Sequence, residues 1–345
     1  MIVSNTLPKS AVEETALGFI QERYRPEIGW SDFPTNRSGE STSWVTSFVL
    51  EQVGLKLPSQ LRSNAVDLLL RQRNPRGSWG FSAVTPADCD STLHAISAIV
   101  RCEAKVDIRE SIAYVLQHQL PDGGFSTYNE ADVQELRRYR SDTQLTDYLG
   151  WMQSHTCVTS AALKLFAQLQ EMIPRKVLEM ALAYVIDHQE PGGYWLSYWW
   201  HTIYFSTSRI IQSLAEQRDK TLRLVRDRAT EFLLASANQE GFWDNGYDKG
   251  QPCLLSTASC LKALTSVNRG DSLRIAATEF LSKMQSPDGS WQGRPSLRIP
   301  SPHEMNPAVA QNLRIGGRGV GSLCSDERRV YTTAAVLSAL DANCR

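Results

Sequence analysis

The chain has almost no excess of charge of either sign: 36 Lys and Arg stand against 37 Asp and Glu, a formal net charge of −1. That balance argues against steering toward nucleic acid or an anionic membrane surface. Long apolar runs are also lacking, and none approaches the roughly 20 residues of a membrane-spanning helix, so no transmembrane segment is expected. Met1-Ile2-Val3-Ser4 opens without a basic n-region and an apolar h-region, so no secretory signal is expected. The seven cysteines (89, 102, 157, 253, 260, 324 and 344) form no CxxC pair and no dense pattern. This speaks against a disulfide scaffold and for reduced thiols in a cytoplasmic protein. The 42% hydrophobic and 21% charged residues that remain are the composition of an ordinary globular protein. At 345 residues the chain could form two average domains or one large domain built of repeats.

A repeat is what the chain does have. A Thr opens each of six apolar, small-residue segments, at Thr46, Thr92, Thr159, Thr207, Thr257 and Thr333. Their mostly apolar circumference suits helices buried on several sides, and each hydroxyl is expected to accept from free N–H groups of the first turn. Between them lie six two-faced segments, near 11–23, 59–73, 107–119, 174–189, 221–236 and 271–285. Their apolar residues fall at helical spacing with charges opposite, as in an outer layer facing water. Pro174 fits a first helical turn. Five of these outer segments are followed by one style of loop: Gln72 to Trp79, Gln119 to Phe125, Gln189 to Trp195, Gln239 to Trp243 and Gln285 to Trp291. Pro-Asp-Gly and Gly-Gly supply the turns. The Gln can bond backbone while the ring packs across helix ends, a structural staple.

Six inner and six outer helices in alternation, with no atypical polar capping repeat at either end, predict an all-α, closed α6/α6 toroid. The domain expected is a single toroid over 1–345, with mouth insertions at about 126–156 and 292–330. Inner helices run parallel in such a ring, so their N-termini share one mouth. That mouth gathers the residues two and four ahead of each Thr, among them Trp44, Asp88, Asp90, His155, Cys157, Phe205, Cys253, Arg329 and Tyr331. Long insertions in a compact domain are often lids or binding loops.

Within Pro86-Ala87-Asp88-Cys89-Asp90-Ser91-Thr92 two carboxylates sit one residue apart at a helix start. They could merely cap the second inner helix. They could also share a proton, because a second carboxylate and an apolar cavity both oppose ionisation while the helix N-terminus favours it. Trp44, Phe48, Trp199, Trp200, Tyr204, Phe205 and Tyr331 fall at or near the mouth and as a group would give an apolar, π-lined pocket. His155 and Arg329 are its polar exceptions. Arg294, Arg298, Arg314, Arg318, Arg328 and Arg329 accompany the Gly-rich stretch Ile315 to Gly321; arginines and backbone amides suit a diphosphate.

The Gln…Gly-x-Trp loops resemble the QW repeats of squalene–hopene cyclases, oxidosqualene cyclases and class II diterpene cyclases. Asp88-Cys89-Asp90-Ser91-Thr92 is similar to their DxDD(T) acid motif, and Trp199 to Thr207 resembles their Trp- and Tyr-rich segment before an inner helix. The resemblance implies a class II terpene cyclase-like enzyme that cyclises a polyprenyl substrate after protonation. It assigns Asp90 as the catalytic acid on an alkene or epoxide and Asp88 as the residue that helps hold the donor. Ser91 stands where the hopene and diterpene enzymes have a third Asp, and a Ser hydroxyl can still hydrogen-bond the acid. Protonation needs no cofactor, although Mg²⁺ could accompany a diphosphate. The expected partner is a hydrophobic isoprenoid, with no nucleic acid. The familiar cyclases place their cavity between two toroids, so here the insertions, a second copy in a homodimer or a partner domain must close it.

Protein prenyltransferase β-subunits share the toroid and hold zinc, but Tyr331-Thr332-Thr333 lacks their Tyr-His pair. Asp88, His155, Cys157 and Cys253 could meet across the mouth, without a spacing motif behind them. Two rivals remain: a non-catalytic toroid that holds a hydrophobic ligand, and another enzyme on this architecture, such as a glycoside hydrolase or a non-terpene cyclase.

Overall fold

The computed structural model describes residues 9–139, 147–309 and 313–343. In chain order its helices are α1 (Lys9–Glu22), α2 (Ser43–Val53), α3 (Ser59–Gln72), α4 (Cys89–Arg101), α5 (Arg109–Leu116), α6 (Glu130–Tyr139), α7 (Leu149–Met152), α8 (Thr156–Phe166), α9 (Arg175–Asp187), α10 (Tyr204–Ser213), α11 (Lys220–Ser236), α12 (Leu254–Ser266), α13 (Asp271–Lys283) and α14 (Val330–Ala342). Helices α2, α4, α8, α10, α12 and α14 pack in that order, and α14 returns to α2, closing the inner ring. Helices α1, α3, α5, α9, α11 and α13 form the outer layer, each burying only one face. None of the described helices is long and apolar enough to cross a membrane.

The repeated Thr does a different job from the one expected of it. It lies one turn inside the helix rather than at its cap. In every repeat its Oγ1 accepts the backbone N–H of the loop aromatic: Trp30 to Thr46, Trp79 to Thr92, Phe125 to Thr159, Trp195 to Thr207, Trp243 to Thr257 and Trp291 to Thr333, at 2.9–3.1 Å. Four of these hydroxyls donate to the carbonyl one turn back. Each Trp indole in turn donates to a carbonyl ten residues earlier in the outer helix, as Trp79 does to Leu69 at 2.7 Å. The Gln of three loops donates both within its own loop and to the next outer helix, tying neighbouring repeats together. Ile28-Gly29-Trp30 after α1 is a sixth such loop, which the sequence reading missed because Tyr24 and not a Gln stands six residues before its Trp.

Short strands build the mouth. β1 (Asp32–Thr35) and β2 (Gly39–Ser41) form an antiparallel hairpin ahead of α2. In the second insertion β3 (Leu297–Ile299) pairs antiparallel with β5 (Ser322–Cys324), which pairs in parallel with β4 (Arg314–Ile315). β3 also runs against the segment before α10, with Arg298 N donating to Trp199 O at 2.6 Å and His201 N to Ser296 O at 2.8 Å. The first insertion contributes α6 and α7. Residues 140–146 and 310–312 of the two insertions lie outside the described residues.

Candidate active site

A cavity of about 480 Å³ opens at the mouth, enclosed by the first turns of α2 and α4, the segment before α10, the hairpin tip and both insertions. Its size is ordinary for a small-molecule site. Asp88, Asp90 and Ser91 lie in its wall with Trp44, Phe81, Tyr128, Trp151, Trp199 and Trp200. The rim is basic, with Arg37, Arg314 and Arg318.

Asp88 is the N-cap of α4, so the capping reading is correct and does not remove it from the cavity. Its two oxygens take the Ser91 N–H and the Ser91 hydroxyl, each at 2.7 Å. Ser91 therefore bonds an acid as expected, and that acid is Asp88. Burial pushes Asp88 up to about 8, assisted by Asp90, and outweighs the two hydrogen bonds from Ser91 that favour the ionised form. Asp90, in the first turn, is half-buried and takes the Trp44 indole N–H at 3.1 Å.

Of the other expected site residues, Trp44, Trp199 and Trp200 line the cavity and the rest do not. Tyr331 is fully buried beneath it, stacked 5.2 Å from both Trp44 and Trp200, with Phe48 at 3.7 Å on its other side. Phe205 stacks 4.3 Å from Trp200. These three rings form a plug along the ring axis that supports the floor without reaching it. Tyr204 stacks on Phe232 of α11 and so belongs to the packing between layers. Arg329 turns toward the last QW loop, 3.7 Å from Asp288 and 3.3 Å from the Ser290 hydroxyl. His155 is buried; Thr127 donates to its Nδ1 at 2.8 Å, and its Nε2–H donates to Gly150 O at 2.8 Å. Burial pushes it down to about 3, so it is neutral and orients Thr127, whose oxygen takes the Trp199 indole N–H at 2.7 Å.

Among the six insertion arginines, Arg298, Arg314 and Arg318 reach the cavity. Arg294 pairs with Asp248 and Arg328 with Glu40. Arg298 is buried and donates to the Ser197 and Tyr198 carbonyls at 2.9 and 3.2 Å, fixing the segment that carries Trp199 and Trp200. Arg318 pairs with Glu327 at 2.7 Å. Among the described residues no group of three or more His, Cys, Asp and Glu could hold a metal ion, which leaves the zinc set without a site.

The sequence reading missed Phe81, Thr127, Tyr128, Tyr139 and Trp151, which enter from loops and insertions rather than from the Thr-anchored positions. Tyr139, at the end of α6, clasps the hairpin: its hydroxyl donates to Arg37 O at 3.3 Å, and Arg37 donates to Tyr139 O at 3.5 Å. The opposite side closes where Asn36 N donates to Arg318 O at 2.7 Å.

Comparison with known proteins agrees with this architecture. Residues 84–253 match the squalene-hopene cyclase C-terminal domain and residues 187–344 the prenyltransferase alpha-alpha toroid domain. The chain is 27% identical over 279 residues to a drimenyl diphosphate synthase of Streptomyces showdoensis, covering 75% of this chain and 47% of that one. It thus spans about half the length of the curated relatives it matches. Among solved structures, the type II terpene cyclase MstE from Scytonema, in complex with its substrate geranylgeranyl dihydroxybenzoate, superposes with a TM-score of 0.85 at 27% identity over 97% of both chains. A protein from Actinoplanes gives 0.86 at 26% identity, over 98% of this chain and all of that one.

Proposed function

Because the chain belongs to the class II terpene cyclase superfamily of squalene–hopene cyclase and prenyltransferase toroids, we propose that it cyclises a polyprenyl substrate by protonating a terminal alkene from Asp90. The carrying observation is the pair of carboxylates in the wall of an aromatic cavity, one kept neutral by burial and the other facing an indole N–H. The Asp90 proton forms a C–H bond with the alkene π electrons, leaving a tertiary cation that the next double bond attacks. The charge left on Asp90 is met by the Trp44 N–H and the N-terminus of α4. A neutral Asp88 adds no second negative charge beside it. The faces of Trp44, Trp199 and Trp200 stabilise the travelling cation, and closure of the mouth by the chain's own insertions keeps water from it.

The basic rim points to an anionic head group, so the proposed substrate enters tail first with its head near Arg314 and Arg318. The acids in the cavity wall are Asp88 and Asp90, while Glu327 is held by Arg318. This donor set does not fit a protein-held Mg²⁺, which asks for carboxylates beside the phosphates, so counter-charge for a diphosphate falls to the arginines. Arg318→Ala is expected to raise KM for a prenyl diphosphate about tenfold with little change in kcat, as loss of uniform binding does, and to leave an uncharged polyene unaffected. Steady-state kinetics on both substrates checks this.

The pH profile follows from Asp88. Below about pH 8 it is neutral; above, its ionisation puts a negative charge beside the one that Asp90 acquires on giving up its proton, which opposes the transfer. The rate should therefore fall as pH rises through about 8. Asp88→Asn, which still accepts from Ser91 N–H, should flatten that limb. The decisive test of the reading is incubation with farnesyl, geranylgeranyl and squalene-type substrates, with products read by mass spectrometry. Cyclised product supports it. Tight binding of all three without turnover would instead establish a ligand-holding toroid.

A further inference from the structure

Beneath the aromatic plug, at the end of the ring opposite the mouth, lies a second and much smaller cavity. It has room for about 40 Å³, enough for one or two water-sized atoms. Its wall carries Lys164 of α8, Arg209 of α10 and Lys262 of α12, with Gln52 and Ser259 among its polar neighbours.

These cations are poorly compensated. The acid at this end is Glu51 of α2, and Lys164 at 2.5 Å and His94 Nδ1 at 2.6 Å already occupy it. Despite burial, Lys164 and His94 hold the Glu51 carboxyl well below the usual range. Arg209 is more than nine-tenths buried, yet its hydrogen bond among the described residues is a single one, to His94 Nε2 at 3.3 Å; its plane otherwise covers the Phe205 ring at 4.6 Å. Among the described residues the hydrogen-bond partners of Lys262 are neutral, Gln52 Oε1 at 2.7 Å and the Ser338 hydroxyl at 2.8 Å. Burial and the neighbouring Lys164 push its ammonium down to about 7. Lys164, Arg209 and the protonated form of Lys262 around one engaged carboxylate leave an excess of positive charge on a small pocket that is partly open to solvent.

We propose that this axial pocket binds a small inorganic monoanion of chloride's size between Lys164, Arg209 and Lys262. The site is separate from the catalytic cavity and independent of the reading given for it. The bound ion supplies the missing negative charge and steadies Arg209 under Phe205, which in turn stacks beneath Trp200 of the cavity floor.

The test is the melting temperature of the full chain in sodium chloride against sodium gluconate at equal ionic strength. Replacing gluconate with 0.1 M chloride should raise it by about 2 °C. Lys262→Gln, which can still bond Ser338, should lose the chloride-specific rise and melt in gluconate no lower than the parent. A purely structural Lys262 predicts an equal loss in both salts. In parallel, crystals of the unaltered protein soaked in sodium bromide should show an anomalous peak among the three cations. Equal melting in the two salts, a rise that survives Lys262→Gln, or no bromide at this position would each overturn the proposal.

Discussion

Asp90→Asn is expected to reduce turnover at least a thousandfold while leaving the folded protein intact. A positioned general acid contributes on the order of 10²–10⁴ in rate, and the upper part of that range applies because an unactivated alkene has no easier route to a cation. The fold should hardly notice the change. Asp88, not Asp90, caps α4, and an amide oxygen at position 90 still accepts the Trp44 indole N–H. The measurement is product yield per enzyme alongside a thermal melt by circular dichroism. Trp44→Phe is the graded companion: it keeps an aromatic face but removes the N–H that meets the charge left after transfer. A tenfold loss is expected there, about 1.4 kcal/mol in the barrier. If Asp90→Asn turns over normally while Asp88→Asn does not, the proton comes from Asp88, and the role assigned by the motif belongs two residues earlier.

Much of the fold was legible because it is repeated. Thr, Trp and Gln recur at matching offsets since each repeat solves the same problem, tying a loop to an inner helix, to its own outer helix and to the next. Even so, the Thr hydroxyl as a first-turn acceptor was wrong in geometry, because one-letter spacing does not distinguish the cap from the turn inside it. The acids and Trp44, Trp199 and Trp200 were placed at the mouth by counting from the Thr. Counting fixes depth along a helix but not the direction of the side chain. Phe48, Tyr204, Phe205 and Tyr331 all sit at suitable depth and point to the axis or the outer layer. The helix carrying Tyr139 was read only as part of an insertion, and the hairpin carrying Arg37 was not read as an element at all. Strands of three or four residues give no period to detect. Phe33 within the hairpin takes a left-handed φ of 47°, a conformation that a bulky side chain seldom adopts. It is held there as Asp32 accepts the N–H groups of Phe33, Arg328 and Val330, an interaction across almost the whole chain.

Trp291→Ala is expected to be the most destabilising single change in the staples, because it acts where the ring closes. The indole is fully buried, donates to Leu281 O at 2.7 Å, and its backbone N–H reaches Thr333 at 3.1 Å. Truncating a buried Trp costs roughly 3–5 kcal/mol in transfer and cavity terms, and the Leu281 carbonyl is left without its donor. That is a large part of the ~5–15 kcal/mol that holds a typical domain together. The same local losses attend Trp195→Ala, so the two variants separate packing from closure. Of the two loops, the Trp291 loop is the one that reaches from the end of the chain to its first helix. Gln285 donates to Val12 O of α1 at 2.9 Å, and Gly289 approaches α1 so closely that a Cβ would stand 2.3 Å from Thr15 O. Loosening that loop releases its hold on α1 and so weakens the packing of α1 on α14, next to the seam where α14 meets α2. Urea denaturation should therefore show Trp291→Ala losing more than Trp195→Ala, with amide exchange in α1 rising well before global unfolding. Equal losses and unchanged exchange in α1 would mean that the staples act one repeat at a time and that closure adds nothing to stability.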